Sequence, residues 1–146
     1  MKAVIFERYG GPEVLQLTDI AKPTPKDDEV LVKVRTSTVI QGDCELRGFN
    51  FPLWFWLPLR LYVGLTRPKR VKIAGQEIAG DIEAVGEKVT RFKEGDKVFA
   101  ATGMSFGGHV EYKCIKANEA IAHKPDALSY AEAATLPTGG LNGLHH

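Results

Sequence analysis

Ile73-Ala-Gly-Gln-Glu-Ile-Ala-Gly-Asp-Ile-Glu-Ala-Val-Gly-Glu-Lys-Val-Thr-Arg-Phe-Lys-Glu-Gly-Asp-Lys-Val-Phe-Ala100 reads as strand, turn, strand. Ile78, Gly80, Ile82 and Ala84 fall on one face and Asp81 and Glu83 on the other, the period of two that marks a half-buried strand. Gly86 ends that run, and Gly95-Asp96 makes a second tight turn into Lys97-Val98-Phe99. Ala74, Gly75, Ala79 and Gly80 are small enough to let neighbouring backbone come close. The stretch predicts barrel-like β-structure.

The flanks agree. Residues 2–6 and 13–19 read as two strands joined by Tyr9-Gly10-Gly11-Pro12, and Lys22-Pro-Thr-Pro-Lys26 suits an edge crossing or linker. Val30, Val32 and Val34 alternate with Leu31, Lys33 and Arg35, which predicts one core face and one mostly solvent face. Asp43 is placed to cap a short helical turn over Cys44–Arg47, with Gly48 ending it. Phe106–Ile115 alternates again, with Val110, Tyr112 and Cys114 on one face and His109 on the other. A lone histidine there reads as a surface or hydrogen-bonded residue rather than a ligand. Ser129 and Glu132 have the spacing of a capping box.

A chain of 146 residues supports one domain with a real core. Its 44% hydrophobic and 25% charged residues are ordinary for a globular protein, and a net charge of +1 gives no electrostatic reason to propose nucleic acid as a partner. Cys44 and Cys114 are too few and too far apart for a disulfide or metal framework, so a reducing cytoplasm is expected. The N-terminal apolar run is broken by Glu7 and Arg8, too early for a secretory segment.

Several motifs together resemble the medium-chain dehydrogenase/reductase superfamily. They are Gly75-Gln-Glu-Ile-Ala-Gly80, Glu83-Ala-Val-Gly86, Val89-Thr-Arg-Phe-Lys-Glu-Gly-Asp-Lys-Val98 and Gly42-Asp-Cys-Glu-Leu-Arg-Gly48, with Phe106-Gly-Gly-His-Val-Glu-Tyr112 and Ser129-Tyr-Ala-Glu-Ala-Ala-Thr-Leu-Pro137 downstream. The nearest branch is the quinone-oxidoreductase-like one. The resemblance implies a mainly β fold with short helices, a GroES-like partly open β-barrel over residues 1–128, and residues 129–146 as the start of a helical connection to a cofactor-binding Rossmann domain. No Gly-x-Gly-x-x-Gly turn occurs in the chain, so that domain is absent from it. NADP(H) is therefore expected in the complete enzyme and not as a tight ligand of this chain.

The same resemblance places Ile40, Gln41, Asp43, Gln76 and Glu77 in the cleft for substrate and nicotinamide, and puts Thr138 and Asn142 nearest the cofactor. Zinc-dependent relatives carry ligands at positions 40 and 76. Isoleucine cannot ligate zinc and a glutamine amide is a poor ligand, so no zinc is expected. Cys44, one residue past Asp43, reads as a small buried hydrophobe. His145 and His146, adjacent in sequence, read as a frayed end or tag remnant rather than a chelate.

Residues 49–65 hold both tryptophans and six aromatic side chains, interrupted by Pro52, Pro58 and Arg60. The run is far below the ~20 apolar residues that span a bilayer. Three readings stay open: the wall of an apolar substrate site, a subunit (homodimer) or membrane-surface contact, or packed core. The basic run Arg67–Lys72 reads as a solvated loop, with an interfacial patch of aromatic and basic residues as the alternative.

Without zinc, the chemistry needs an acceptor that is already electron-poor, a quinone or an α,β-unsaturated carbonyl, hence an apolar small molecule. Asp43 and Tyr62 are the candidate catalytic side chains, and Gln76 and Glu77 have an equally good reading as partners of buried backbone. The expectation is a piece of an NADPH-dependent reductase, inactive by itself. The alternative is a stand-alone, non-enzymatic barrel used for protein or membrane-surface association.

Overall fold

Strand-forming residues dominate the chain, and the computed structural model arranges them as two sheets. It describes residues 1–144, with the side chains of all but Met104, Leu141, Asn142 and Leu144. β1 (Lys2–Phe6) and β2 (Leu15–Asp19) form an antiparallel hairpin, with a 3₁₀ turn at Pro12–Val14 filling the first part of the expected second strand. β3 (Glu29–Ser37), β4 (Glu77–Val85), β5 (Lys97–Ala101), β6 (Tyr112–Lys116) and β7 (Ile121–His123) make an antiparallel sheet in the order β6-β3-β4-β5-β7. The two sheets meet through a single bridge, Ala3 with Val110, and do not close into a barrel.

The core lies under the five-stranded sheet and is built from Val30, Val32, Ile78, Ile82, Val98 and Ile115 with Phe92 and Ile121. Two expectations about faces need correction. Leu31 is nearly as buried as its neighbours Val30 and Val32, so both faces of β3 are covered at this point. In β4, Glu77, Ile78, Ala79 and Gly80 are all buried, and the alternation appears only from Asp81 onward. The cause is α3 (Tyr130–Ala134), whose Ala133 and Ala134 pack on Ala79 and cover the second face. Ser129 and Glu132 form the expected capping box: the Ser129 hydroxyl accepts from the Glu132 N–H at 3.2 Å, and the Glu132 carboxylate accepts from the Ser129 N–H at 2.8 Å.

β3 carries one extra residue between Val34 and Thr36, opposite Gly80 and Ala79. A Cβ on Gly80 would sit 2.1 Å from the Lys33 carbonyl oxygen, so only glycine lets the bulged strand come this close. Past the bulge, Thr36 and Ser37 pair with Ala79 and Ile78, and the Thr38 N–H donates to the Glu77 carbonyl at 3.3 Å. The run 106–111 is less regular than expected. Phe106 has φ 46° and Gly107 φ 76°, and strand geometry begins only at Tyr112.

α1 (Gln41–Gly48) begins two residues before Asp43. Asp43 is therefore the third helical residue rather than the cap, and its carboxylate reaches back to accept from the Ile40 N–H at 3.1 Å. Gly48 is the last helical residue, and Phe49 takes the left-handed conformation beyond it, φ 56°. That position favours glycine by about 1 kcal/mol or more. The strain is outweighed by burial of the ring against Tyr9, Phe51 and Trp56.

The aromatic segment is a helix, α2 (Leu53–Val63), with Pro58 inside it. Pro52 sits at its start, where a missing N–H matters least. α4 (Leu136–Leu144) closes the described chain. The reading of His145 and His146 lies outside the described residues.

Candidate functional site

Gly75 is the point where the two sheets and α1 converge, and its neighbours account for the polar groups around it. Its φ of 101° and the position of a would-be Cβ, 2.6 Å from the His109 nitrogen, exclude any larger residue. Its N–H donates to the Asp43 carboxylate at 2.8 Å. Its carbonyl accepts from the Thr102 hydroxyl at 2.9 Å and from the Gly108 N–H at 2.9 Å. The Ala74 carbonyl accepts from His109, and the Gln76 carbonyl accepts from Thr102 at 2.7 Å. Backbone groups this deep have to be paired, and here they are.

Asp43 is only 4% exposed and Glu77 only 2%. Both carboxylates are fully engaged. One oxygen of Asp43 holds Gly75 and the other holds Ile40. Glu77 accepts from the Thr38 hydroxyl with one oxygen and from the Thr138 N–H at 2.7 Å with the other, tying the start of α4 to β3 and β4. Thr138 thus takes part through its backbone. The Asn142 side chain lies outside the described residues.

Ile40 and Gln76 come together around Gly42. The Gln76 Nε2 lies 2.8 Å and the Ile40 Cδ1 3.8 Å from the point where a Gly42 Cβ would be. Gln41 points away into solvent and donates to Glu45 one helical turn on at 2.6 Å. Tyr62 stands apart on α2, half exposed, with the Arg70 guanidinium over its ring at 5.0 Å. Among the described residues, no three His, Cys, Asp or Glu side chains gather closely enough to hold a metal ion.

His109 was expected to be a surface or hydrogen-bonded residue, and it is the second, largely buried. Its Nδ1 lies 3.1 Å from the Ser37 hydroxyl, while its Nε2 is 3.9 Å from Asp43, too long for a direct bond. Burial pushes the imidazole below the usual histidine pKa, and the Asp43 carboxylate offsets only part of that. Ser37, Asp43 and His109 floor an apolar cavity of about 380 Å³ whose walls include Ala3, Val4, Leu15, Leu17, Val39 and Val110. Of the cleft residues expected from sequence, only Asp43 lines it. Cys44 also lines it and is exposed, which corrects the expectation of a buried hydrophobe.

Thr38, Thr102 and the Ser37–His109 pair carry much of this site; sequence reading passed over Thr38, Thr102 and Ser37 and gave His109 no role beyond a surface or hydrogen-bonded residue. The one signal available was the polar run Thr36-Ser37-Thr38 at the end of a buried strand. Thr102 had none.

Residues 26–140 match the family described as the alcohol dehydrogenase GroES-like domain. The chain belongs to that family, in the quinone-oxidoreductase-like branch of the medium-chain dehydrogenase/reductase superfamily. It is 34% identical over 137 residues to the quinone oxidoreductase of Homo sapiens, covering 93% of this chain and 37% of that protein. To the quinone oxidoreductase of Pseudomonas aeruginosa it is 37% identical over 142 residues, covering 96% of this chain and 38% of the relative. The solved quinone oxidoreductase of Coxiella burnetii matches with a TM-score of 0.81 at 29% identity, over 99% of this chain and 43% of that one. The Escherichia coli quinone oxidoreductase complexed with NADPH matches with a TM-score of 0.76 at 27% identity, over 97% and 39%. The chain spans less than half the length of these relatives.

Proposed function

We propose that residues 1–146 supply the catalytic-domain side of a zinc-independent, NADPH-dependent reductase acting on a quinone or an α,β-unsaturated carbonyl. Residues 1–128 form the catalytic unit in this reading, and 129–146 begin the connection to the dinucleotide-binding unit. The observation that carries it is the pair Ile40 and Gln76 flanking Gly42 beside a buried Asp43. Alcohol chemistry in the superfamily needs a Lewis acid between those two positions to hold a developing alkoxide. Isoleucine offers no donor atom and an amide is a weak one. A quinone or enone spreads the incoming negative charge through its own conjugation, so hydrogen-bond donors are enough.

Asp43 and Glu77 are positioning residues in this reading, because all four of their carboxylate oxygens already accept hydrogen bonds. Among the described residues no hydrogen bond engages the Gln76 side chain, which leaves its amide as the donor available to a substrate oxygen. The proton that completes reduction then comes from water rather than from either carboxylate.

The residues present do not themselves make a dinucleotide site. The sequence has no Gly-x-Gly-x-x-Gly turn, and no parallel strand–turn–helix unit occurs among the described elements. The names of the relatives and the NADPH in the Escherichia coli structure support the acceptor class and the cofactor. Cys44 and Cys114 are both free thiols, which fits a reducing cytoplasm.

The test is NADPH oxidation by the protein isolated from its source organism, with a quinone, an enone and a simple aldehyde as acceptors, with and without chelator. Chelator-insensitive turnover of the first two supports the proposal, and Gln76→Leu should lower kcat/KM by roughly tenfold or more. Chelator-sensitive oxidation of an alcohol would overturn it. Residues 1–146 alone are expected to show no turnover.

A further inference from the structure

α2 is built inside out. Its outward face carries Leu53 at 86% exposure, Trp54 at 79%, Leu57 and Leu61, with Tyr62 and Phe55 at the margins, and no charged residue. The only charge in the helix, Arg60, faces inward. Its guanidinium lies 3.9, 4.3 and 5.0 Å from the rings of Tyr9, Phe49 and Trp56, and its Nε and Nη1 are buried without a hydrogen-bond partner. A helix at an aqueous surface normally has the opposite polarity. With 11 residues it is about 16 Å long, and no described helix is long enough to cross a membrane.

A basic strip is fastened to the end of this helix. The N–H groups of Lys69 and Arg70 donate to the Val63 carbonyl at 2.9 and 3.2 Å, and Arg70 lies over the Tyr62 ring. Gly64 permits the reversal, since a Cβ there would meet the Arg67 carbonyl oxygen at 2.0 Å. Arg67, Lys69, Arg70 and Lys72 are exposed, and residues 49–72 contain no Asp or Glu. Lys69, Arg70 and Lys72 also line a cavity of about 440 Å³ with Lys113, again with no carboxylate in its wall. Among the described residues, the only acid paired with the strip is Glu7, 3.8 Å from Lys72.

We propose that α2 docks flat on a bilayer surface rich in anionic lipid, with Leu53, Trp54, Leu57 and Leu61 at the acyl boundary and the 67–72 strip on the headgroup phosphates. An apolar face flanked by cations is the chemistry such a surface recognises. A second copy of this chain fits less well, because a twofold contact through α2 would bring two basic strips together. The surface is separate from the Ile40–Gln76 site, so the inference does not depend on the proposed reaction. An electron-poor apolar acceptor dissolved in the bilayer would gain access to an enzyme held there.

The experiment is sedimentation with vesicles of phosphatidylcholine alone and of phosphatidylcholine with 30% phosphatidylglycerol, following Trp54 emission in a Trp56→Phe background. It uses the protein isolated from its source organism beside the 146-residue chain. Binding of both forms to the anionic vesicles with a blue shift is expected. Arg67→Gln, Lys69→Gln and Arg70→Gln together should weaken partition on the order of 100-fold. Trp54→Ser with Leu57→Ser should abolish it while leaving the thermal melt in place. No binding to either vesicle overturns the proposal. So does a blue shift that follows protein concentration without lipid, which is self-association, and so does binding by the short chain alone, which means that further chain covers α2.

Discussion

Gly75 and Trp54 lie 21 residues apart and represent opposite ways of using a sequence. Around Gly75, backbone packs directly on backbone, small residues remove every obstacle, and buried carboxylates and a threonine satisfy the polar groups. Around Trp54, large apolar side chains face solvent and the one charge is folded beneath them. The first region is complete in itself and tolerates no change of volume. The second is stable as a helix only because Phe49, Val63 and Arg60 anchor it from below, and its outer face is indifferent to the fold. A conserved-volume floor holds the cleft, while the outer helix is left to make contacts elsewhere.

The largest effect should come from Gly80→Ala or Gly75→Ala. Each forces a methyl group into backbone, at 2.1 and 2.6 Å respectively. Loss of about 3 kcal/mol or more is expected, a fall in Tm of roughly 10 °C by calorimetry. Next is Asp43→Ala, which strands the buried Gly75 N–H and should cost about 1–3 kcal/mol in urea unfolding. Asp43→Asn, which keeps one acceptor oxygen, should cost less. If Asp43→Ala proved neutral, the floor would not depend on this carboxylate.

A third, smaller effect is pH-dependent. The His109 pKa is lowered in the folded state by burial, so below the unfolded value of about 6.5 the unfolded chain takes up the proton first. The contribution is complete above that pH and is lost as pH falls toward the folded pKa. His109→Gln should therefore flatten the Tm profile just below about pH 6.5, leaving the carboxylate-driven loss at more acid pH. The smallest effect belongs to α2: Leu57→Ser should change stability by less than about 0.5 kcal/mol, in contrast to about 3–5 kcal/mol for Phe49→Ala beneath it. A large loss from Leu57→Ser would erase the distinction between the regions.

Gly75 and Gly80 could be read as close-approach points from their sequence alone, whereas Gly86, read only as the end of the strand, also packs against backbone, a would-be Cβ lying 2.0 Å from the Lys26 carbonyl oxygen. The hairpin at Gly10-Gly11 and the capping box at Ser129 were equally plain, since local chemistry decides them. The second buried face of β4 was not legible, because it is created by α3, more than 50 residues downstream. The roles of Asp43 and Glu77 were only half legible. Their types and positions pointed to the cleft, but whether a buried carboxylate meets substrate or backbone depends on Thr38, Gly75 and Thr138, which arrive from three separate segments. Helix α2 hid behind its prolines: Pro52 and Pro58 look like interruptions, yet one starts the helix and the other is accommodated inside it.

In the proposed reading, hydrogen bonds from Gly75 to Asp43 and from Thr102 to Gly75 hold the site floor without a metal. Calorimetry of the chain in chelator and in excess zinc tests it most directly. The account predicts the same Tm in both, within about 1 °C. A zinc-dependent rise of several degrees, the signature of a metal bound by the folded state at about 100 times its Kd, would contradict it.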